Sequence, residues 1–214
     1  MALKDHEKEL EYCTYCPKLC RHACPVSNAL GNEALIPQAK MQTLNMLRRG
    51  DIPWRQSYVD TLYACTGCKL CQTYCEHDID VAAILWEGRT EARSRGFVHP
   101  TLEHLPEELR QRADDLRVKL EKSHLADRLA SEARVGYLPG VDAIETSMGD
   151  IDDAFFVFDR LGLDFVRLAE ASVLCVAYQL WAGGFIETAR HAAEELVRQL
   201  RNYATVVVGS AACA

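Results

Sequence analysis

Eight of the ten cysteines in this 214-residue chain fall into two runs. The first reads Cys13-x-x-Cys16-x-x-x-Cys20-x-x-x-Cys24-Pro25, and the second Cys65-x-x-Cys68-x-x-Cys71-x-x-x-Cys75. Thiolates spaced this closely can wrap three iron corners of a cubane on one short loop, with backbone amides turned toward the sulfides. The fourth cysteine of each run is carried away from that corner. Two such runs imply two [4Fe–4S] clusters, and therefore a path for electrons.

The spacing is similar to that of bacterial two-cluster ferredoxins, in which the fourth cysteine of one run ligates the other cluster. Carried over, Cys13, Cys16 and Cys20 share a cluster with Cys75, while Cys65, Cys68 and Cys71 share one with Cys24. Such crossing would join distant segments through metal and couple folding to cluster insertion. Pro25 supports the first run by fixing the turn after Cys24. The second run has Glu76 at the corresponding place, and the first has one extra residue between its second and third cysteines. Zinc is a poorer reading, because four cysteines within about a dozen residues pack badly around one tetrahedral ion. Disulfides need an oxidising compartment, and the charged N-terminus has no apolar leader. A thioredoxin-like Cys-x-x-Cys would explain one pair, not eight cysteines.

A net charge of −7 argues against a nucleic-acid partner, and 49% hydrophobic residues suffice for a core. The longest apolar stretch, Ala171 to Ile186, contains Gln179 and two glycines and is short for a bilayer. It reads as buried strand and turn. No direct membrane span is expected, and the localisation expected is cytoplasmic, with any membrane association made through a partner.

Helices should deliver the cysteine loops. Residues 38–49 place Met41, Leu44 and Leu47 at helical spacing before Gly50, and residues 79–95 repeat the rhythm with Ile79, Ala83, Trp86 and Thr90. Pro106 opens a charged segment with leucines at mostly three- and four-residue, irregular steps, closed by Gly136 and Pro139. It reads as a connecting helix packed on its own chain in preference to a partner-binding coiled coil. Beyond Gly140 the texture changes. Helices are expected over 151–161 and 187–203, short strands over 164–168 and 172–176, and a buried strand over 205–209. Alternation of this kind implies an α/β unit with a partly parallel sheet. The fold class is therefore mainly α: an α-helical cluster domain over 1–100, a connecting helix over 101–135 and a small α/β domain over 136–214, incomplete if chain is missing beyond Ala214.

Three segments carry a family resemblance: residues 21–33 (Arg-His-Ala-Cys-Pro-Val-Ser-Asn-Ala-Leu-Gly-Asn-Glu), Pro37-x-x-Lys40-Met41, and residues 63–75 (Tyr-Ala-Cys-Thr-Gly-Cys-Lys-Leu-Cys-Gln-Thr-Tyr-Cys). The chain resembles the iron–sulfur subunits of heterodisulfide reductase-type proteins, a group that includes the anaerobic glycerol-3-phosphate dehydrogenase C subunit and the lactate- and glycolate-oxidising iron–sulfur subunits. The resemblance implies an α-helical ferredoxin domain joined to a cysteine-rich CCG domain. This chain departs from the second part. Val141, Cys175-Val176-Ala177 and Ser210-Ala-Ala-Cys213 stand where that domain places cysteine ligands, so two of five remain.

The function expected is electron transfer through two [4Fe–4S] clusters, as a subunit of a larger redox complex. Its partners would be other redox subunits: a flavoprotein, a CCG-type reductase subunit, or a membrane cytochrome. No nucleophile–base pair, phosphate-binding glycine loop or flavin fingerprint is present, so no catalytic residue is assigned. Two alternatives stay open: a CCG-type reductase acting on a disulfide or related substrate, with Cys175 and Cys213 as ligands or redox thiols, and a zinc-structured scaffold. His22 and His77 lie beside cluster cysteines and are read as surface residues.

Overall fold

Start and stop signals in the sequence account for most helices of the first half. In a computed structural model, which describes residues 3–210 and Cys213, α1 covers Glu7–Tyr15, α2 Pro25–Leu30, α3 Pro37–Arg49, α4 Gln56–Tyr63 and α5 Val81–Ser94. Both α2 and α3 open on proline, whose missing N–H would have no partner in a first turn. Gly50 closes α3 in the left-handed conformation (φ 76°). There the amides of Gly50 and Asp51 return to the carbonyls of Leu47 and Met46. The expected stripe of Met41, Leu44 and Leu47 is buried.

The fifth helix begins two residues later than the periodicity suggests, because Asp80 is its cap: the side chain accepts from the Ala83 amide at 3.1 Å. Its buried face runs through Ile84, Leu85, Gly88 and Ala92, while Ala83 and Thr90 are only half-buried. Ile84 and Leu85, together with Leu10, Met41, Leu44 and Leu62, belong to a core against which Cys65, Cys71 and Cys75 pack. A Cβ built on Gly88 would lie 2.8 Å from both Leu44 methyls, so glycine permits the close approach of α3 and α5.

The chain divides into two units. The first comprises Met1–Glu103 together with Ala182–Ile186; the second comprises His104–Trp181 and Glu187–Ala214. The late segment is tied into the first unit by specific contacts. Arg89, only 4% exposed, donates to the carbonyls of Ala182, Leu62 (2.8 Å) and Cys65 (2.6 Å). The Tyr63 hydroxyl donates to Gly183 O at 3.2 Å, and the Arg93 guanidinium lies 3.7 Å from the Phe185 ring centroid.

The remaining elements are α6 (Leu105–Glu121), β1 (Leu129–Ala130), β2 (Ala133–Leu138), α7 (Val141–Thr146), α8 (Met148–Arg160), β3 (Val166–Ala169), α9 (Ala177–Ala182), α10 (Ile186–Leu200) and β4 (Tyr203–Val208). Pro106 sits in the first turn of α6, whose buried leucines face α7 and the turn at 170–174. The four strands are all parallel in the order β1-β3-β2-β4. The chain is thus mainly α with a small α/β unit, as its patterning implies.

Three local expectations are corrected. Residues 172–176 are not a strand: Glu170–Leu174 forms a 3-10 turn, held by the Ser172 hydroxyl donating to Ala169 O at 2.6 Å. Strand β2 occupies a stretch read as the end of the charged helix. Finally, β4 is not buried; it is an edge strand in which Tyr203 is buried while Val207 and Val208 are exposed. Among the described residues no helix is long and apolar enough to cross a membrane.

Gly88→Ala tests the α3–α5 contact. Helix propensity alone would stabilise the variant by roughly 1 kcal/mol, but overpacking costs about 1–3 kcal/mol. Leu44 is fully buried and has nowhere to retreat. The expected outcome is a net loss in urea denaturation; a gain would show that the helices can move apart.

Candidate metal centre

The two cysteine loops repeat each other in backbone as well as in sequence. Each contains Lys-Leu-Cys, at 18–20 and 69–71, and in each the lysine takes positive φ, 68° at Lys18 and 57° at Lys69. A 3-10 turn follows, Arg21–Ala23 or Gln72–Tyr74, and then an extended cysteine, Cys24 or Cys75. The extra residue of the first run is Pro17, inserted ahead of the shared turn. Lys18, Lys69 and Asp78 are the non-glycine residues with positive φ among the described residues, and all three belong to or adjoin these loops. Backbone in this region is disfavoured and persists where surrounding structure fixes it.

Helix ends present the thiols. Cys13 lies buried in the last turn of α1, with Cys16 at its C-cap. Cys24 is buried at the start of α2, its thiol donating to Leu35 O at 3.5 Å. Cys65 follows α4, Cys68 is exposed, and Cys20, Cys71 and Cys75 are half-buried. Two cavities gather them. A wide one, about 530 Å³, is lined by Cys13, Cys16, Cys20, Cys71 and Cys75. A narrow one, about 20 Å³, is lined by Cys24, Cys65, Cys68 and Cys71. Each cavity therefore takes the fourth cysteine of the opposite run. Aromatic pairs bridge the same segments: His22 meets the Tyr74 ring edge-on with centroids 4.5 Å apart, and His77 lies 4.6 Å from Tyr12. The two histidines are exposed but not unengaged.

Burial, reinforced by crowding, makes ionisation of Cys13, Cys20 and Cys71 unfavourable without metal. Burial pushes the Cys13 thiol from 9.0 up to about 12, and Cys20, Cys75, Cys16 and Cys71 add to the rise. Burial first, then Cys20, Cys65 and Cys68, pushes Cys71 to about 12. Cys20 is also raised, by burial and then by Cys16. The donor set suits an iron–sulfur cluster: soft thiols, apolar walls and loops of fixed backbone. The wide cavity has room for it. The narrow one would take it only if its thiols turned outward, and Cys68 is already exposed. Among the described residues no three His, Cys, Asp or Glu side chains converge as a single-ion site, whereas a cubane spreads its thiolates over four irons.

Sequence reasoning placed Lys40 in a family motif without assigning it a role, and overlooked Arg89. Lys40 is 1% exposed, and its ammonium donates to Ala64 O at 2.9 Å and to Cys24 Sγ at 3.7 Å. The signal was its position between Pro37 and Met41 on the buried stripe of α3. In the second unit Cys175 is buried and disulfide-bonded to Cys213, with Cα atoms 5.8 Å apart. Disulfides had no place in the sequence expectations. Ser210 lies close by, 2.7 Å from a Cβ built on Gly140, with Cys213 Sγ at 3.7 Å; Ala211 and Ala212 lie outside the described residues. Val141 and Val176 are buried and offer no donor atom.

A family model described as a 4Fe-4S dicluster domain matches residues 9–79. No curated protein and no solved structure matches the chain. Residues 9–79 are thus an iron–sulfur, ferredoxin-like segment with an electron-transfer role.

Raised thiol values fix the sign of a pH effect. A group that binds its proton more tightly when folded supports the fold below its ordinary value and ceases to do so as pH rises through the folded value. The metal-free protein should therefore lose stability between pH 9 and about 12. Urea midpoints across that range check this, and Cys13→Ala should flatten the profile.

Proposed function

We propose that the chain holds two [4Fe–4S] clusters with crossed ligation and relays single electrons between redox subunits of a heterodisulfide reductase-like complex. The observation that carries this reading is the mixed composition of the two cavities: Cys75 lies with Cys13, Cys16 and Cys20, and Cys24 with Cys65, Cys68 and Cys71. Each cluster, when bound, would supply one-electron storage. The chain supplies the rest. Its helix ends orient the thiols, the core behind Cys13 and Cys65 excludes water, and the shared Cys71 places the two sites side by side. The second unit would dock a partner along the exposed edge strand β4, whose unpaired backbone and Val207 and Val208 suit strand addition. The partners fitting this role are a flavoprotein, a CCG-type reductase subunit or a membrane cytochrome.

A second reading, a reductase acting in the second unit, draws on the pairing of Cys175 with Cys213. Replacing both with alanine separates the two. Unchanged iron content and electron transfer support docking, and loss of a third cluster signal revives the enzyme.

The purified protein should carry about eight iron and eight sulfide per chain, four of each per cubane. The paramagnetic signal altered by Cys24→Ala should be the one altered by Cys68→Ala, not the one altered by Cys16→Ala. The opposite pairing would refute crossed ligation, and stoichiometric zinc would end the redox reading.

A further inference from the structure

A lysine buried as deeply as Lys40 needs a reason. It is the largest of the fully buried side chains, and among the described residues no carboxylate pairs with it. Burying an ammonium without a counter-charge is costly. The partners it has are a neutral carbonyl, Ala64 O, and the sulfur of Cys24. It also lines the narrow cavity with Cys65, Cys68 and Cys71. The anion that would balance it is therefore the thiolate-ligated cluster of that cavity.

The wide cavity is the electrostatic opposite. No lysine or arginine lines it, and Glu76 does, together with Glu11, whose charge is largely answered by Arg48 and Arg49 at 3.3 and 3.5 Å. A thiolate-ligated cubane is anionic and becomes more so on reduction, so a cation in contact with a ligand sulfur favours the reduced state, and a carboxylate such as Glu76 at the rim opposes it. Solvent in the wide cavity would also favour reduction there. Its walls are largely apolar, however, and water dipoles compete poorly with a full charge at hydrogen-bonding distance.

We propose that Lys40 is a positioning and potential-setting residue: it holds the cluster of Cys24, Cys65, Cys68 and Cys71 at the higher reduction potential and so sets the direction of flow. Electrons enter at the cluster of Cys13, Cys16, Cys20 and Cys75 and settle beside Lys40. This rests on the two-cluster reading above. The balance is one electron gained by the second cluster for one lost by the first, with no proton or bond exchanged.

The test is a redox titration of the anaerobically purified, iron-loaded protein, followed by electron paramagnetic resonance. The two signals are assigned with Cys24→Ala and Cys16→Ala. In the unmodified protein the signal that responds to Cys24→Ala should titrate at the higher potential; finding it lower overturns the proposal without any change at Lys40. Lys40→Met should lower that potential by at least a tenfold change in the one-electron equilibrium, about 59 mV, and leave the other nearly unmoved. Lys40→Arg should restore most of the difference. Equal shifts at both clusters, or none, overturn the proposal while leaving the relay intact. If Lys40→Met fails to load, the ordering of potentials in the unmodified protein still decides. Iron analysis showing fewer than two clusters removes the relay reading and this proposal together.

Discussion

Thiols crowded at the edge of an apolar core repel one another once ionised, and the geometry of the first unit turns on that fact. Burial first, and that repulsion second, hold the protons of Cys13 and Cys71 far above the ordinary thiol range. Iron resolves the conflict by replacing those protons with positive charge that several sulfurs can share. The same side chains are thus tolerable neutral groups in one state and obligatory anions in the other. The helices α1, α3, α4 and α5 must hold them together through both.

Two buried cations help to keep that arrangement. Lys40 and Arg89 converge on the short stretch from Leu62 to Cys65, where α4 runs out of internal hydrogen bonds. Their donors take carbonyls that would otherwise be stranded in an apolar setting. Arg89 also lies over the Tyr63 ring, 4.8 Å from its centroid. A helix end capped from other helices fixes where Cys65 begins its loop. Lys40 spans the same junction to Cys24, so the two cysteine runs are registered to each other by protein contacts as well as by any shared metal.

Much of this was legible because local signals agreed with one another. The cysteine spacing named the donors, and proline and Gly50 marked both ends of α3 around a clean apolar stripe. Expectations failed where tertiary context decides. Residues 173–176 are apolar and partly β-branched, a pattern that short strands and buried turns share. The glycine and proline around β2 read as a helix stop, yet Gly136 sits inside the strand so that the Tyr203 ring can lie across it. The Thr205–Val208 run looked buried because branched residues crowd it, whereas position at the sheet edge leaves it open. The burial of Lys40 and Arg89 was invisible for a related reason: nothing in a sequence tells a charged side chain on an apolar stripe from one that escapes to solvent.

The five residues Ala182–Ile186 bear on how the protein is made. They complete a unit whose other residues end at Glu103, so the ribosome must add some eighty more before Arg89 and Tyr63 meet their last carbonyls. At roughly 5–20 residues per second this is an interval on the order of several seconds. Throughout it the cysteine loops have emerged while one wall of their domain is still being synthesised. A nascent chain in that condition is exposed to oxidants and to the wrong metals. Either the assembly machinery reaches it early and shields it, or cluster delivery waits for the complete polypeptide.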